Sequence, residues 1–334
     1  MVHEPESQGG IDVDLAIIGA GPSGLFAAYY AGFRAMSVAV IDALPELGGQ
    51  ISALYPEKAI LDVAGFPKVK GRELVAALVE QAASAHPTYL LGRTAVDLAE
   101  DDDGVTLGLD DGTAVRAKVL LITAGIGKFT ARPLPAGEGW EGRGLVFFVP
   151  SFEEYAGLDV VIVGGGDSAF DWAHQLGGIA KLITLVHRRD AFRAHQATVD
   201  AVLASDAEVI TNAEVSELRS ESEGGPVGSV VITTKAGDTV ERPVQRVVAA
   251  LGFVADLSAM KDWGITLEKR HIAVDAAMRT NLRRVFAAGD ITEFEGKVRL
   301  IAVGFGEAAT AVNNAAVVID PDAHVFPGHS SEGS

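Results

Sequence analysis

Two stretches of this chain repeat one local design, and that repetition constrains the fold more than any other feature. Val13 to Ile18 (VDLAII) is a short apolar run, followed by Gly19, Gly21 and Gly24 in GAGPSG and then by the helix-like LFAAYYAGF. Further on, DVVIV is followed by Gly164, Gly166 and Ala169 in GGGDSA and then by FDWAHQL. Both read as strand, tight turn and helix. The first glycine of such a turn allows the bend, the second lets a pyrophosphate approach the backbone, and the third position lets helix pack on strand. Phosphate then sits at the helix N-terminus, and Pro22 suits the first helical turn, where its missing N–H costs nothing. Two nucleotide-binding folds are therefore expected in one chain.

The residue at the end of the following strand selects the nucleotide. The apolar SVAVI leads to Asp42, 23 residues beyond Gly19. A carboxylate there accepts hydrogen bonds from a ribose 2′-OH and repels a 2′-phosphate, so the first site suits FAD or NAD. The same offset from Gly164 reaches His187 at the end of KLITLV, where no acid stands: His187, Arg188 and Arg189 follow instead. Guanidinium groups offer planar paired donors that suit a dianionic phosphate, which points to NADPH at the second site. A solvated basic face, or ion pairs with some of the 45 acidic residues, is the competing account of these arginines. Arg193 and His195 either complete that phosphate pocket or sit beside it.

Composition narrows the remaining classes. With 334 residues, 48% of them hydrophobic, the chain exceeds what one core usually serves, and two domains are expected. A net charge of -18 repels phosphate at long range, so nucleic acid and anionic membrane are not expected as partners. The N-terminus lacks a basic region followed by an apolar core, and no apolar run approaches the roughly 18 residues of a membrane span, which points to the cytoplasm. The chain has no cysteine, which removes disulfides, thiolate metal sites, iron–sulfur ligation and dithiol redox chemistry together. Without a metal-like His pair, a GxSxG elbow or a P-loop, no metal and no hydrolytic mechanism is expected.

Between the two fingerprints, DGVTLGLDDGTAVRAKVLLITAG reads as hairpin strands with a turn at Asp111 and Gly112, then an apolar strand and a bend at Ala124 and Gly125. After the second fingerprint the chain again gives alternating strands, with a polar loop at residues 221 to 225. TNLRRVFAAGD then leads by strand into Gly289 and Asp290, and from about Phe305 GEAATAVNNAAVVI reads as a helix. Asp290 either holds a sugar-like chain by its carboxylate or serves as an N-cap or turn residue.

With two fingerprints, an acid after the first, HRRDAFRA after the second and a late VFAAGD, the chain resembles the thioredoxin-reductase-like flavoproteins over nearly its whole length. The resemblance implies an α/β fold of two Rossmann-like three-layer nucleotide-binding domains. Residues 1–122 and 253–334 would form a discontinuous FAD-binding domain, and residues 123–252 an NADPH-binding domain inserted in it. Thioredoxin reductases carry a CxxC pair beside the GDSA motif, whereas this chain has AHQL at Ala173 to Leu176. GGQISALYPEKAILDVAGFPKVKG is instead similar to the ferredoxin-NADP reductases of this fold, as are GGGDSAFDW, HRRDAFRAH, FEGKVRLIAVGFGEAATAVNNA and PGHSS.

That family implies a homodimeric FAD enzyme moving electrons between NADPH and ferredoxin or flavodoxin. Carried onto this sequence, FAD would be held by Gly19, Gly21, Ser23, Gly24, Asp42, Gln50, Val96 and Asp290. Most family members have Glu where Asp42 stands. Tyr55 would stack on one flavin face, with Phe129 near the ring system. His329, Ser330 and Ser331 of the partner's tail would cover the other face. NADPH would be held by Gly164, Gly166, Asp167, Ser168, Ala169, His187, Arg188, Arg189 and Arg193. Hydride transfer needs no side-chain acid or base, so Tyr55 and His329 are stacking partners. Two other outcomes are weighed: an NADPH oxidase or diaphorase using oxygen or quinones, and a flavin- or NADP-binding regulator without turnover.

Overall fold

The computed structural model describes residues 10–125, 128–256, 258–326 and 328. It divides into two compact units, one made of residues 1–128 and 255–334 and one of residues 129–254. The chain leaves the first unit at residue 128 and returns at 255, so the second is an insertion.

In the first unit, the apolar run Ile11–Ile18 lies at the centre of a seven-stranded sheet. It pairs in parallel with Val38–Asp42 on one side and with Ala114–Ile122 on the other, and Thr88–Leu91 extends the sheet beyond Val38–Asp42. The nine-residue strand Ala114–Ile122 serves two neighbours on one edge. Its first half pairs antiparallel with Val105–Leu109, the expected hairpin, and its second half pairs in parallel with Val285–Ala287. Gly112 closes the hairpin turn with φ +86, a conformation glycine adopts without steric cost.

Alternation along these strands builds two cores on opposite faces. Leu15, Ile17, Val38, Val40, Val119 and Leu121 face the helices Pro22–Phe33, Gly71–Ala83 and Ile301–Ile319. Ala16, Ala39, Ile41, Leu120 and Ile122 face the opposite way, toward Leu107, Leu109, Ile265 and Ile272. Successive side chains of a strand point to opposite faces, so a continuous apolar run is what a sheet covered on both sides requires.

The second unit repeats the plan. Asp159–Val163 is central to a five-stranded parallel sheet, flanked by Leu182–His187 and Arg246–Ala249. Val160, Ile162, Ile183 and Leu185 pack on the helices Asp167–Leu176 and Gln196–Leu203. Val161, Val163, Val186 and Val247 pack on the antiparallel meander Ala213–Arg219, Ser229–Thr234 and Thr239–Pro243. The sheet of the first unit is thus mixed, with helices on one face, and the second unit stacks helices, a parallel sheet and an antiparallel meander in three layers.

Two expectations are corrected. The last helix begins at Ile301, four residues before Phe305, after the extended N-cap residue Leu300, and Ile301 and Phe305 pack on the core of the first unit. That helix has 19 residues, and an 18-residue stretch of it has a mean hydropathy of 1.3, so one segment does reach membrane-span length and apolarity. Its length serves the core instead. Gly304, Ala308, Ala311, Val312 and Ala315 are buried in the first unit, and Asn313 bonds Arg34 and Tyr30.

Candidate functional site

Each unit carries its glycine turn at the carboxyl end of its central strand, between neighbours that lie on opposite sides of it. This is the switch point where open α/β sheets leave a crevice for ligands. In the first turn the three glycines do three different things. A side chain at Gly19 would stand 2.6 Å from the Thr123 carbonyl oxygen, and one at Gly24 would stand 1.9 Å from the Gly19 carbonyl oxygen. These two positions close the turn and seat the helix. At Gly21, by contrast, an added carbon would meet nothing within 4 Å. Gly21 is the N-cap of Pro22–Phe33, whose first turn holds no acid. An open backbone at a helix N-terminus is the cradle that an anionic group needs.

Asp42 faces this turn. Its carboxylate accepts hydrogen bonds from Ala20 N at 2.6 Å and Leu44 N at 2.8 Å, each on a different oxygen. Two backbone donors leave further lone pairs for ligand hydroxyls. Burial pushes the Asp42 carboxyl above its ordinary range, with the two backbone hydrogen bonds pulling against it.

Residues 48–50 close over the turn. Gly48 N donates to Ala20 O, and a side chain at Gly49 would stand 2.9 Å from the Gly21 Cα. Gln50 opens the short helix Gln50–Leu54, and its amide nitrogen lies 2.8 Å from where a Gly125 side chain would begin. Tyr55 follows that helix, half-buried, with the Lys58 ammonium 5.4 Å from its ring centre. Val96 sits at a register shift between Ala95 and Asp97, and its carbonyl accepts a hydrogen bond from the Trp263 indole. Such a bulge leaves one residue without a register partner in the ladder, and here that residue is Val96. Phe129 lies in the strand Lys128–Ala131, and its side chain is outside the described residues, as are His329, Ser330 and Ser331.

The strand Val285–Ala287 delivers Gly289 and Asp290 to the same turn. A side chain at Gly289 would stand 2.8 Å from the Ser23 hydroxyl, and one at Gly304 would stand 2.4 Å from it. Ser23 therefore fits only because both neighbours are glycine. Among the described residues nothing bonds the Asp290 carboxylate. Sequence reasoning missed what lies behind Gly289: a buried ion pair between Lys297 and Glu307. The available signal was a lone acid, Glu307, in the otherwise apolar helix segment GFGEAATAV.

In the second turn, a side chain at Gly164 would stand 2.4 Å from the Ala250 carbonyl oxygen, whereas Gly166 again has nothing within 4 Å. Ala169, at the third position, is fully buried and its methyl fits. The helix Asp167–Leu176 begins with an acid, but the Asp167 carboxylate accepts the His195 N–H at 2.8 Å. Arg193 N donates to Gly165 O at 2.8 Å. Together these bonds bring the segment 188–195 back onto the turn. Phe192 anchors it further by packing edge-on against the buried Phe170, ring centres 4.7 Å apart, and beside His187 at 5.7 Å.

The arginines are left to face solvent. Arg188, Arg189 and Arg193 are exposed, and among the described residues no carboxylate pairs with any of them. Ion pairing therefore does not account for them. His187 is held below the ordinary histidine range, first by burial and then by the charges of Arg188 and Arg189, against a raising hydrogen bond with the Ala191 backbone. Its ring packs on the turn, 2.4 Å from where a Gly165 side chain would begin. Ser168 lies half-buried in the first turn of the helix. Among the described residues no cluster of His, Asp or Glu could hold a metal ion.

Comparison with known proteins places this geometry in context. Residues 13–315 match the family model of the pyridine nucleotide-disulphide oxidoreductases. The chain is 71% identical over 328 residues to the ferredoxin–NADP reductase of a Nocardioides species, covering 97% of this chain and 98% of that one. It is 60% identical over 320 residues to the ferredoxin–NADP reductase of Frankia alni, covering 96% and 99%. Among solved structures it is similar to the thioredoxin reductase of T. acidophilum, with a TM-score of 0.75, 26% identity, and 93% and 98% of the two chains covered. The Lactococcus lactis thioredoxin reductase gives a TM-score of 0.75 at 25% identity, covering 92% and 99%.

Proposed function

Because the chain belongs to the pyridine nucleotide-disulphide oxidoreductases, and within them to the ferredoxin–NADP reductases, we propose that it carries electrons between NADPH and a ferredoxin or flavodoxin, with FAD in the first unit and NADPH in the second. One observation carries the assignment of cofactor to unit. The two glycine turns have the same open second glycine, but Asp42 faces the first, while the segment held on the second carries exposed arginines that no carboxylate among the described residues pairs with. A carboxylate excludes a 2′-phosphate and exposed guanidinium groups attract one. The absence of cysteine separates this chain from the dithiol chemistry of its structural neighbours.

The residues of the first unit fit FAD. Gly21 leaves backbone N–H groups open to a pyrophosphate, Asp42 keeps lone pairs for ribose hydroxyls, and the Asp290 carboxylate is available to a ribityl chain. Gln50, Ser23 and the Val96 backbone complete the set, with Tyr55 and the tail residues His329 and Ser331 at the ring system. Bound FAD would supply the conversion between a two-electron hydride donor and a one-electron carrier. The protein's own part is to bind, orient and exclude water, and no side chain is asked to move a proton.

In the second unit the helix N-terminus at Gly166 would take the pyrophosphate of NADPH, while His187, Arg188, Arg189 and Arg193 would take the 2′-phosphate. Asp167 holds the His195 backbone and so orients the arginine segment without facing the phosphate itself. Family resemblance further supports a cytoplasmic homodimer. With a net charge of -18, docking of an acidic ferredoxin would have to be local and would weaken as salt rises.

Steady-state turnover with NADPH and NADH, each against a panel of ferredoxins and flavodoxins, tests the proposal. Preferred use of NADPH and rapid reduction of a ferredoxin or flavodoxin are expected. Faster reoxidation by oxygen or a quinone than by any such carrier would overturn it, and so would a flavin that stays oxidised when NADPH is added anaerobically.

A further inference from the structure

Burying a charge is costly unless it is paired and hydrogen-bonded, and apolar residues of similar size often do as well or better. Lys297 and Glu307 are nevertheless the least exposed ion pair among the described residues, with side chains at 2% and 6%. Glu307 lies on the buried face of the helix Ile301–Ile319, with Gly304, Ala308, Ala311, Val312 and Asn314. Their partners explain the pair. Glu307 accepts Gly289 N at 2.8 Å on one carboxylate oxygen and binds Lys297 on the other. Lys297 in turn donates to Gly289 O at 2.9 Å. Both polar groups of one residue's backbone are thus held by the two ends of one ion pair.

Gly289 needs such a grip. It adopts φ +82 in a turn between the strand Val285–Ala287 and Thr292, with Ser23 of the first glycine turn pressed against its Cα. Thr292, fully buried, adds its N–H and hydroxyl to the Gly289 carbonyl at 3.1 and 2.8 Å. Asp290 is the next residue, and its direction follows from the Gly289 backbone. A one-residue clamp of charged groups in a dry interior is strong where geometry is good and intolerant of displacement.

We propose that Lys297 and Glu307 are positioning residues, which as a buried ion pair fix the Gly289 backbone so that Asp290 and Ser23 present one preformed seat for the FAD ribityl chain. This rests on the reading of the first unit as the FAD site. The pair touches no ligand itself. It trades stability, which apolar residues would supply as well, for the fixed geometry of the turn.

The test compares purified holoproteins carrying Lys297→Met with Glu307→Leu, Glu307→Gln alone, or Asp290→Ala. FAD affinity by equilibrium dialysis, flavin circular dichroism and thermal unfolding are measured. The double variant removes both charges at similar volume, so it is expected to fold, with a melting temperature lowered by the Gly289 N–H that loses its acceptor. It should bind FAD on the order of tenfold or more weakly, with an altered flavin dichroism, since small displacements of positioning groups have large effects. Glu307→Gln keeps one acceptor for Gly289 N and should show a smaller loss. Parent-like FAD affinity and dichroism in the double variant, with FAD weakened by Asp290→Ala, would overturn the positioning role and leave the FAD reading standing. If Asp290→Ala binds FAD as the parent does, the reading of Asp290 falls instead, and the proposed seat with it. Should the double variant not fold, Glu307→Gln decides: an unchanged flavin signature overturns the proposal and a changed one supports it.

Discussion

Replacing Arg188 and Arg189 by glutamine should separate the two nicotinamide cofactors without disturbing the fold. Among the described residues neither guanidinium has an ion-pair partner, and both project from a segment held by Phe192, by Arg193 N on Gly165 and by His195 N on Asp167. Nothing in the protein's own packing is lost, so unfolding should change by no more than about 0.5 kcal/mol, as for ordinary surface sites. A charge-assisted hydrogen bond to phosphate contributes about 1.5 to 3 kcal/mol when shielded. At an exposed, salt-screened site about 1 to 1.5 kcal/mol for each arginine is a better figure. Two arginines then give about 2 to 3 kcal/mol, a loss of roughly 30- to 150-fold in kcat/KM for NADPH at about 1.4 kcal/mol per tenfold. NADH lacks the phosphate and should lose little. Initial rates with both cofactors and a small acceptor, with thermal unfolding alongside, decide the matter. Equal losses with NADPH and NADH, or a lowered melting temperature, would mean that the arginines are structural and that the cofactor argument is wrong.

Gly24→Ala should destabilise the first unit severely, because the new methyl meets a backbone oxygen at 1.9 Å that cannot yield, whereas Gly21→Ala, facing open space at φ -73, should keep its fold within about 1 kcal/mol and lose FAD on the order of tenfold; denaturant melts with flavin quantification distinguish the two. His187, held below the ordinary range, is neutral at pH 7, and the unfolded chain binds more protons than the folded one between the lowered value and about 6.5. Its contribution to stability is therefore complete above about pH 6.5 and is lost as pH falls through that window. Removing Arg188 and Arg189 takes away two of the lowering causes, so the His187 titration followed by NMR should move up. Deleting residues 327–334 should change the rate of NADPH-driven flavin reduction if His329 covers the flavin. Unchanged rates would remove His329 from the site.

Much of the fold was legible because its signals are local. Strand, glycine turn and helix follow one another within about twenty residues, and an apolar run such as VDLAII reports a doubly covered strand wherever it occurs. The start of the last helix was misplaced for a related reason. Ile301 and Val303 carry no helical preference of their own, and the core on which this helix packs is built from residues far from it in sequence. Asp167 shows the same limit: from sequence it is a candidate ligand at a helix N-terminus, while in the structure its carboxylate is engaged by His195. Val96 could be matched to its family position, but not to the bulge that takes it out of the ladder.

By itself, then, the sequence determined the two nucleotide folds, the contrast between Asp42 and the His187–Arg189 segment, and the exclusion of thiol chemistry, since these depend on residue type and spacing alone. The tertiary structure decided which polar groups are engaged and which are left available. That Arg188 and Arg189 have no acidic partner among the described residues, and that Lys297 and Glu307 meet around Gly289, follow from the packing of distant segments. Charge in a sequence states what a residue can bind, and only burial and neighbours state whether that capacity has already been used.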